Sequence, residues 1–303
     1  MDHERRIERA LRASVDACCA GAPPRLAAAL RHAVFPGGAR IRPRLCLAVA
    51  AASGDPLPVL GDAAAAAIEL IHCASLVHDD LPCFDNASTR RGRPAVHRAH
   101  GEPLAVLAGD ALIVAAFETV ARAARAVPDR MGALVEVIAR GVASPHGIIA
   151  GQAWESEPHI PVITYRRAKT AALFEAAAAA GAVVAGADPA AWRLFGERIG
   201  EAYQVADDIQ DVSGDPAALG KPVGRDAVLG RPNAARDLGA AGSRELMEQL
   251  VREALSEMPP CRRPEEIRGW ASDMVLRLLA AGRPSREAAG EPVERIDHEA
   301  PRM

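Results

Sequence analysis

The chain has 303 residues, a formal net charge of −3 and a pI near 6.3, a balance that gives no support for nucleic acid or an anionic membrane surface as partner. Half of the residues are apolar but only 3% are aromatic, so a sizeable core has to be packed from alanine and leucine, which suits closely spaced helices. Cysteines at 18, 19, 46, 73, 83 and 261 fit neither a disulfide framework nor a zinc spacing; the charged N-terminus is not a signal peptide and no uncharged apolar run reaches spanning length, so a soluble, cytoplasmic chain without stable membrane insertion is expected.

The periodicity is helical throughout. Ile7, Leu11 and Val15 recur every fourth residue and predict a first helix. Pro24 opens a second, which stops before Pro36-Gly37-Gly38, and Pro43 opens a third, stopped by Gly54. Residues 60–81 read as a long Ala-rich helix ending in Asp79-Asp80-Leu81-Pro82-Cys83-Phe84-Asp85. Residues 82–101 carry Pro82, Gly92, Pro94 and Gly101 and read as loop. Glu102 to Arg125 is the next helix, and Pro128, Pro145, Pro158 and Pro161 punctuate the stretch after it. Helices near 163–186 and 189–212 precede a Gly/Pro-rich loop at 214–233, and helices near 231–241, 243–257 and 264–281 close the domain. No convincing period-2 strand is present. The polar tail from Gly282 is expected to be disordered. The fold class is therefore all-α: a single-domain helical bundle over residues 1–282, with a deep central cavity and a tail at 283–303.

Two aspartate clusters stand out: Asp79, Asp80 and Asp85 in the first, and Asp207, Asp208 and Asp211 in the second. Each follows an apolar helical run. Unit charges 4 Å apart interact by about 1 kcal/mol in water and about 4 kcal/mol at a surface-like dielectric, so carboxylates this dense call for a cation between them. A hard divalent ion such as Mg²⁺, shared with substrate phosphates, suits oxygen ligands. Asp207 and Asp211 are about 40° apart around a helix and share a face. Asp85 would sit about 240° off the Asp79 face in a straight helix, but Pro82 ends or kinks the helix and lets Asp85 fold back.

These segments resemble the trans-polyprenyl (isoprenyl) diphosphate synthases. His78 to His97, HDDLPCFDNASTRRGRPAVH, is similar to their first aspartate-rich motif with its paired arginines; Gln204 to Asp211, QVADDIQD, is similar to the second. Gly37 to Pro43, GGARIRP, is similar to their N-terminal diphosphate-binding motif, and Lys169-Thr170 and Gly220-Lys221 to two further stations. The likeness runs from about residue 30 to about 280 and is greatest, through LIHCASLVHDDLPCFDNA, to bacterial geranylgeranyl diphosphate synthases of carotenoid and photosynthetic-pigment pathways. It implies that isopentenyl diphosphate condenses with an allylic diphosphate (dimethylallyl, geranyl or farnesyl) to give geranylgeranyl diphosphate and diphosphate. It implies Mg²⁺ as cofactor, three ions with substrate bound, with Mn²⁺ as a substitute, and a homodimer.

The same resemblance gives the residues their roles. The six aspartates would hold the metal; Arg90, Lys169 and Lys221 would bind the allylic diphosphate. Arg40, Arg42, Arg91 and His72 would bind the isopentenyl diphosphate. Thr170 and Gln204 would lie along the carbocation path. Gln152 matches a family position of unassigned role, and His97 and His100 read as structural. One position departs from the pattern: Ala39 stands where the family has lysine. That departure leaves an accessory subunit of a heteromeric synthase as a competing reading, beside a farnesyl diphosphate synthase or a terpene cyclase. Chain length is expected to be set on the helix before Asp79, by Ala74 and Ser75, with Phe117 and Ile71 as candidates for the tunnel end.

Overall fold

The computed structural model describes residues 2–35, 37–54, 57–213 and 233–281. The expected tail from Gly282 and most of the 214–233 loop, with Lys221, lie outside the described residues. Helices α1 (His3–Cys19), α2 (Pro24–Val34), α3 (Ile41–Ser53) and α4 (Pro58–Asp79) come first. A two-strand ribbon, β1 (Thr89–Arg90) and β2 (Arg93–Pro94), leads into α5 (Val96–His100), α6 (Glu102–Ala124), α7 (Pro128–Val142) and α8 (Ile148–Ala153). The chain continues through α9 (Val162–Arg166), a π-turn (Arg167–Ala171), α10 (Ala172–Ala185), α11 (Pro189–Ser213), α12 (Ala234–Ser256) and α13 (Pro264–Ala281).

Proline explains many of the starts. Pro24, Pro58, Pro128, Pro189 and Pro264 each occupy the first helical position, where the missing N–H costs no hydrogen bond. At the other end, Gly54 (φ 116°) and Gly186 (φ 79°) close α3 and α10 in the left-handed conformation. Non-helical Gly239 (φ 69°, ψ 172°) divides α12 into two helical segments, in keeping with the predicted pair near 231–241 and 243–257.

Alanine sets the packing distances. From Leu45 to Ala52 α3 is buried on every face, and α10 is buried almost throughout. A Cβ on Gly181 of α10 would collide with the Cys46 carbonyl of α3, so these two helices meet backbone to backbone. Around them, α4 packs on α6, and α11 packs on α10 and α12. By length and hydropathy alone α4, α6 and the stretch 162–185 reach the range of a membrane span. The apolar stretches of α4 and of 162–185 are 78% and 83% buried within the protein, against 44% for α6.

The ribbon is absent from the sequence expectation. Its strands are two residues long, too short for alternation to show. Thr89 pairs with Pro94 and Arg90 with Arg93, which leaves Arg91-Gly92 as a two-residue turn, φ 54° and 72°. Two positive φ values in succession are the signature of a tight hairpin, and such turns usually carry asparagine or aspartate rather than arginine at the first position.

Candidate active site

α4 stops at Asp79, three residues before Pro82, and the chain turns back on itself. The Asp85 N–H donates to the Asp79 carbonyl at 2.9 Å, and the Asn86 N–H donates to the Leu81 carbonyl at 3.0 Å. This turn returns Asp85 to the side of Asp79. Carboxylate oxygens of Asp79, Asp85 and Glu155 all lie within 4.8 Å of one another. Burial pushes the Asp79 carboxyl up to about 6; Lys169 opposes this, and Asp85 and Glu155 add to it. Asp79 Oδ1 is buried without a hydrogen bond, with Lys169 Nζ at 3.7 Å. An orphaned buried oxygen among clustered carboxylates is a donor set that fits a hard divalent cation.

Asp80 faces the other way. It is buried and accepts from Arg90 Nε at 3.1 Å and from Arg90 Nη2. The second cluster divides in the same manner. Asp207 and Asp211, one turn apart on α11, line the same cavity as Asp79 and Asp85. Asp208 does not: its carboxylate accepts from the Ala234 N–H at 2.7 Å, Gln204 Nε2 at 2.8 Å and Arg166 Nη2 at 3.1 Å. Thus four of the six aspartates reach the cavity wall. The second member of each pair, about 100° around its helix, is turned onto a basic residue or a helix N-terminus instead.

The cavity is about 820 Å³. Along its α4 wall Ile71, His72, Ser75 and Leu76 follow one helical face back from Asp79. Ile113, Val142, Ile148 and Leu173 supply apolar wall from four other helices. Ala74 is not part of this lining. It is 1% exposed and belongs to the helix-packing core, so the expected pair of chain-length residues is split, with Ser75 alone at the cavity. Of the two candidates for the tunnel end, Ile71 lines the cavity, whereas Phe117 packs against the core one turn beyond Ile113.

Six basic groups line the cavity: Arg42, His72, His78, Arg90, Arg91 and Lys169. Arg42 lies with Cζ 4.4 Å from the Phe174 ring centre and 5.2 Å from that of Tyr203, a stacked arrangement that fixes its plane. Its Nε is buried without a partner. Burial, with Arg42, Arg91, Arg90 and Arg40 nearby, holds the His72 imidazole well below its ordinary range, so it is a neutral N–H donor. Arg40 departs from the sequence expectation. It turns into the core, where it donates to Glu8 at 2.8 Å, Glu69 at 2.6 Å and the Val34 carbonyl at 3.0 Å, and it does not line the cavity. Its left-handed backbone (φ 50°) aims it away from the face that Arg42 occupies.

Lys169 and Thr170 sit on the π-turn, whose extra residue widens the helix locally, a device common at functional sites. Gly151 makes room for it: a Cβ there would collide with the Lys169 backbone. Thr170 Oγ1 donates to Gln204 Oε1, and Gln204 Nε2 donates in turn to Asp208. Glu155 is the residue that the sequence analysis missed. It accepts from Tyr165 Oη at 2.7 Å and from Gln152 Nε2 at 2.9 Å, and it pairs with Lys169. Gln152 thereby acquires a role as the prop of Glu155. The three-residue spacing of Gln152 and Glu155, one helical turn, was the available signal.

The model of the polyprenyl synthetase family matches residues 23–258, most of the chain. The chain belongs to that family. It is 51% identical over 286 residues to the geranylgeranyl diphosphate synthase of Cereibacter sphaeroides, covering 93% of this chain and 99% of that one. It is 48% identical over 262 residues to that of Rhodobacter capsulatus, covering 86% and 91%. Among solved structures it is similar to a geranyltransferase from Helicobacter pylori complexed with magnesium and isoprenyl diphosphate. There the TM-score is 0.75 at 28% identity, over 90% of this chain and 96% of that one. Family membership accounts for the all-α architecture.

Proposed function

We propose that this chain is a Mg²⁺-dependent prenyltransferase that extends an allylic diphosphate with isopentenyl diphosphate as far as geranylgeranyl diphosphate. One observation carries the reading: a single cavity joins two carboxylate pairs and six basic groups to an apolar passage along α4. In this reading Asp79, Asp85, Asp207 and Asp211 hold Mg²⁺, three ions with substrate bound, with Mn²⁺ able to replace it. When bound, the metal neutralises charge developing on the leaving diphosphate. Arg90, fixed by Asp80, and Lys169, fixed by Glu155, bind the allylic diphosphate, and Lys221 is assigned to the same group. Arg42, Arg91 and His72 bind isopentenyl diphosphate; guanidinium forks suit its oxygens.

The allylic C–O bond breaks with its electron pair leaving on diphosphate. The alkene of isopentenyl diphosphate supplies the pair for the new C–C bond, and the departing diphosphate takes the proton released. Thr170 and Gln204 orient their oxygens toward the cation without attacking it. The test is direct. Purified chain alone, given Mg²⁺ and both diphosphates, is expected to form the C20 product and to stop on chelation. Turnover in excess EDTA, or activity only with an added partner chain, overturns the reading, the latter in favour of an accessory subunit.

Ala39 lines the cavity where the family lysine would stand, and Arg40 is committed to Glu8 and Glu69. Ala39→Lys therefore adds a donor that nothing else supplies. A charge-assisted hydrogen bond is worth about 1.5–3 kcal/mol, so KM for isopentenyl diphosphate is expected to fall about tenfold or more in steady-state assays. An unchanged KM shows that Arg42, Arg91 and His72 already saturate the site.

We also infer a cytoplasmic homodimer formed through α6, with its product directed to carotenoid or photosynthetic-pigment synthesis. The support is the uncovered apolar face of α6, where Leu107 is 52% and Val114 66% exposed, seven residues apart on one side of the helix. Light scattering is expected to give the dimer mass, and Val114→Asp to give the monomer. A monomeric wild type at micromolar concentration disposes of the interface. Loss of the gene is expected to lower pigment content.

A further inference from the structure

A second cleft, of about 200 Å³, opens behind the π-turn between α7, α10 and α11. Three separate segments each send one guanidinium to it: Arg140 from α7, Arg167 from the π-turn and Arg193 from α11. Arg167 is spoken for, with Nε 2.7 Å from Glu197 Oε1. Among the described residues Arg140 and Arg193 have no hydrogen bond or ion pair. The floor is small and apolar, formed by Gly141, Ala172, Ala176 and Ala179.

The remaining acid is Glu175, on α10. Burial pushes its carboxyl up to about 7; Glu197 adds to this, and Arg140, Arg193 and Arg167 oppose it. Near neutrality it is therefore in part an O–H donor. Before the lining histidine, His146, is counted, the three arginines leave one net positive charge with both glutamates ionised and two with Glu175 protonated. A cation has no purchase in such a place. Guanidiniums converging from three directions suit a tetrahedral oxyanion better than a planar carboxylate, which one fork satisfies. The volume corresponds to several waters at about 30 Å³ each, room for phosphate or diphosphate.

We propose that this cleft is a second anion site, separate from the catalytic cavity, that takes a phosphate-class oxyanion between Arg140, Arg167 and Arg193. The ligand is either orthophosphate or inorganic diphosphate; only the diphosphate source rests on the prenyltransferase reading, as its product. The site is coupled to the cavity by construction. Arg167 opens the π-turn that carries Lys169 and Thr170, so an anion drawing Arg167 from Glu197 acts on the helix that holds them.

Calorimetric titration of the full chain in EDTA-containing buffer, with orthophosphate and diphosphate in separate arms, tests this. Wild type is expected to show two classes of site. Arg140→Gln/Arg193→Gln is expected to weaken one class at least tenfold while keeping turnover at low anion concentration. Arg90→Gln/Arg91→Gln is expected to lose the other class, and its failure to do so counts against the catalytic assignment alone. Tighter diphosphate binding to the cleft identifies the product as ligand; equal or tighter orthophosphate identifies free phosphate. If the Arg140/Arg193 variant titrates as wild type does, the proposal is overturned. Should that double variant melt early, Arg140→Gln alone decides, because Arg140 is exposed and its loss leaves the packing intact.

Discussion

Asp79→Asn is expected to reduce kcat by about 10²–10³ and to raise the Mg²⁺ concentration for half-maximal rate, the scale seen when one preorganised group at developing charge is removed. Asp80→Asn, one residue along, is expected to behave differently. Asp80 does not share the carboxylate cluster; it is buried and grips Arg90 through two nitrogens. Its replacement leaves Arg90 without its anchor, so KM for the allylic diphosphate rises while metal half-saturation stays at the wild-type value. Breaking a buried pair by removing one partner costs about 3–5 kcal/mol, and Arg90 is partly exposed, so the lower end applies. That is a large fraction of the stability of an ordinary domain and is visible as a lowered Tm. Two assays on two variants therefore separate ligand from anchor. If Asp80→Asn shifts metal half-saturation as far as Asp79→Asn does, the assignment of roles within the pair is wrong. Asp207→Asn and Asp208→Asn on α11 form the parallel pair, with Asp208 anchoring α12 and α9 through Ala234 and Arg166.

The sequence carries the helix boundaries plainly because proline and glycine mark them chemically: Pro58 can start α4, and Gly54 can end α3, at no cost to the ladder. The first cluster is legible for the same reason, since Pro82 forbids the straight helix that would part Asp79 from Asp85. Helix phase is less legible. Asp79 against Asp80, Asp207 against Asp208, and Ala74 against Ser75 are each a choice between neighbours about 100° apart. What decides each is a partner distant in sequence, such as Arg90, Ala234 or the core helices. Arg40 and Arg42 pose the same difficulty, and there the left-handed backbone at Arg40 settles which one turns inward. Glu155 was hidden because its neighbours Asp79 and Asp85 lie 70 or more residues earlier in the chain. The π-turn left no signal in a pattern read at 3.6 residues per turn.

Ser75→Phe is expected to shorten the product to farnesyl diphosphate, and Ala74→Phe to leave product length unchanged while lowering Tm. Ser75 lines the cavity one turn before Asp79, about 6 Å along α4, and Ile71 lies a further turn back. The diphosphate end is held at Asp79, so the growing chain runs from there past Ser75 toward Ile71, Ile113 and Ile148. Serine makes almost no obstacle, and its hydroxyl is already turned back to the His72 carbonyl at 2.8 Å. A phenyl ring at this position fills the passage. Overpacking a confined apolar site costs about 1–3 kcal/mol, enough to slow the last extension about tenfold or more while the first condensation proceeds. Ala74 has the same size and lies on the same turn, but it faces the packed core at 1% exposure. A ring there has nowhere to go except against neighbouring helices, so the same overpacking energy is taken from stability instead of from the reaction. Product chromatography and thermal melts on both variants distinguish the two positions. A shortened product from Ala74→Phe together with an unaltered one from Ser75→Phe means that α4 is rotated by one residue from the phase in which Asp79, Ser75, His72 and Ile71 share the cavity wall.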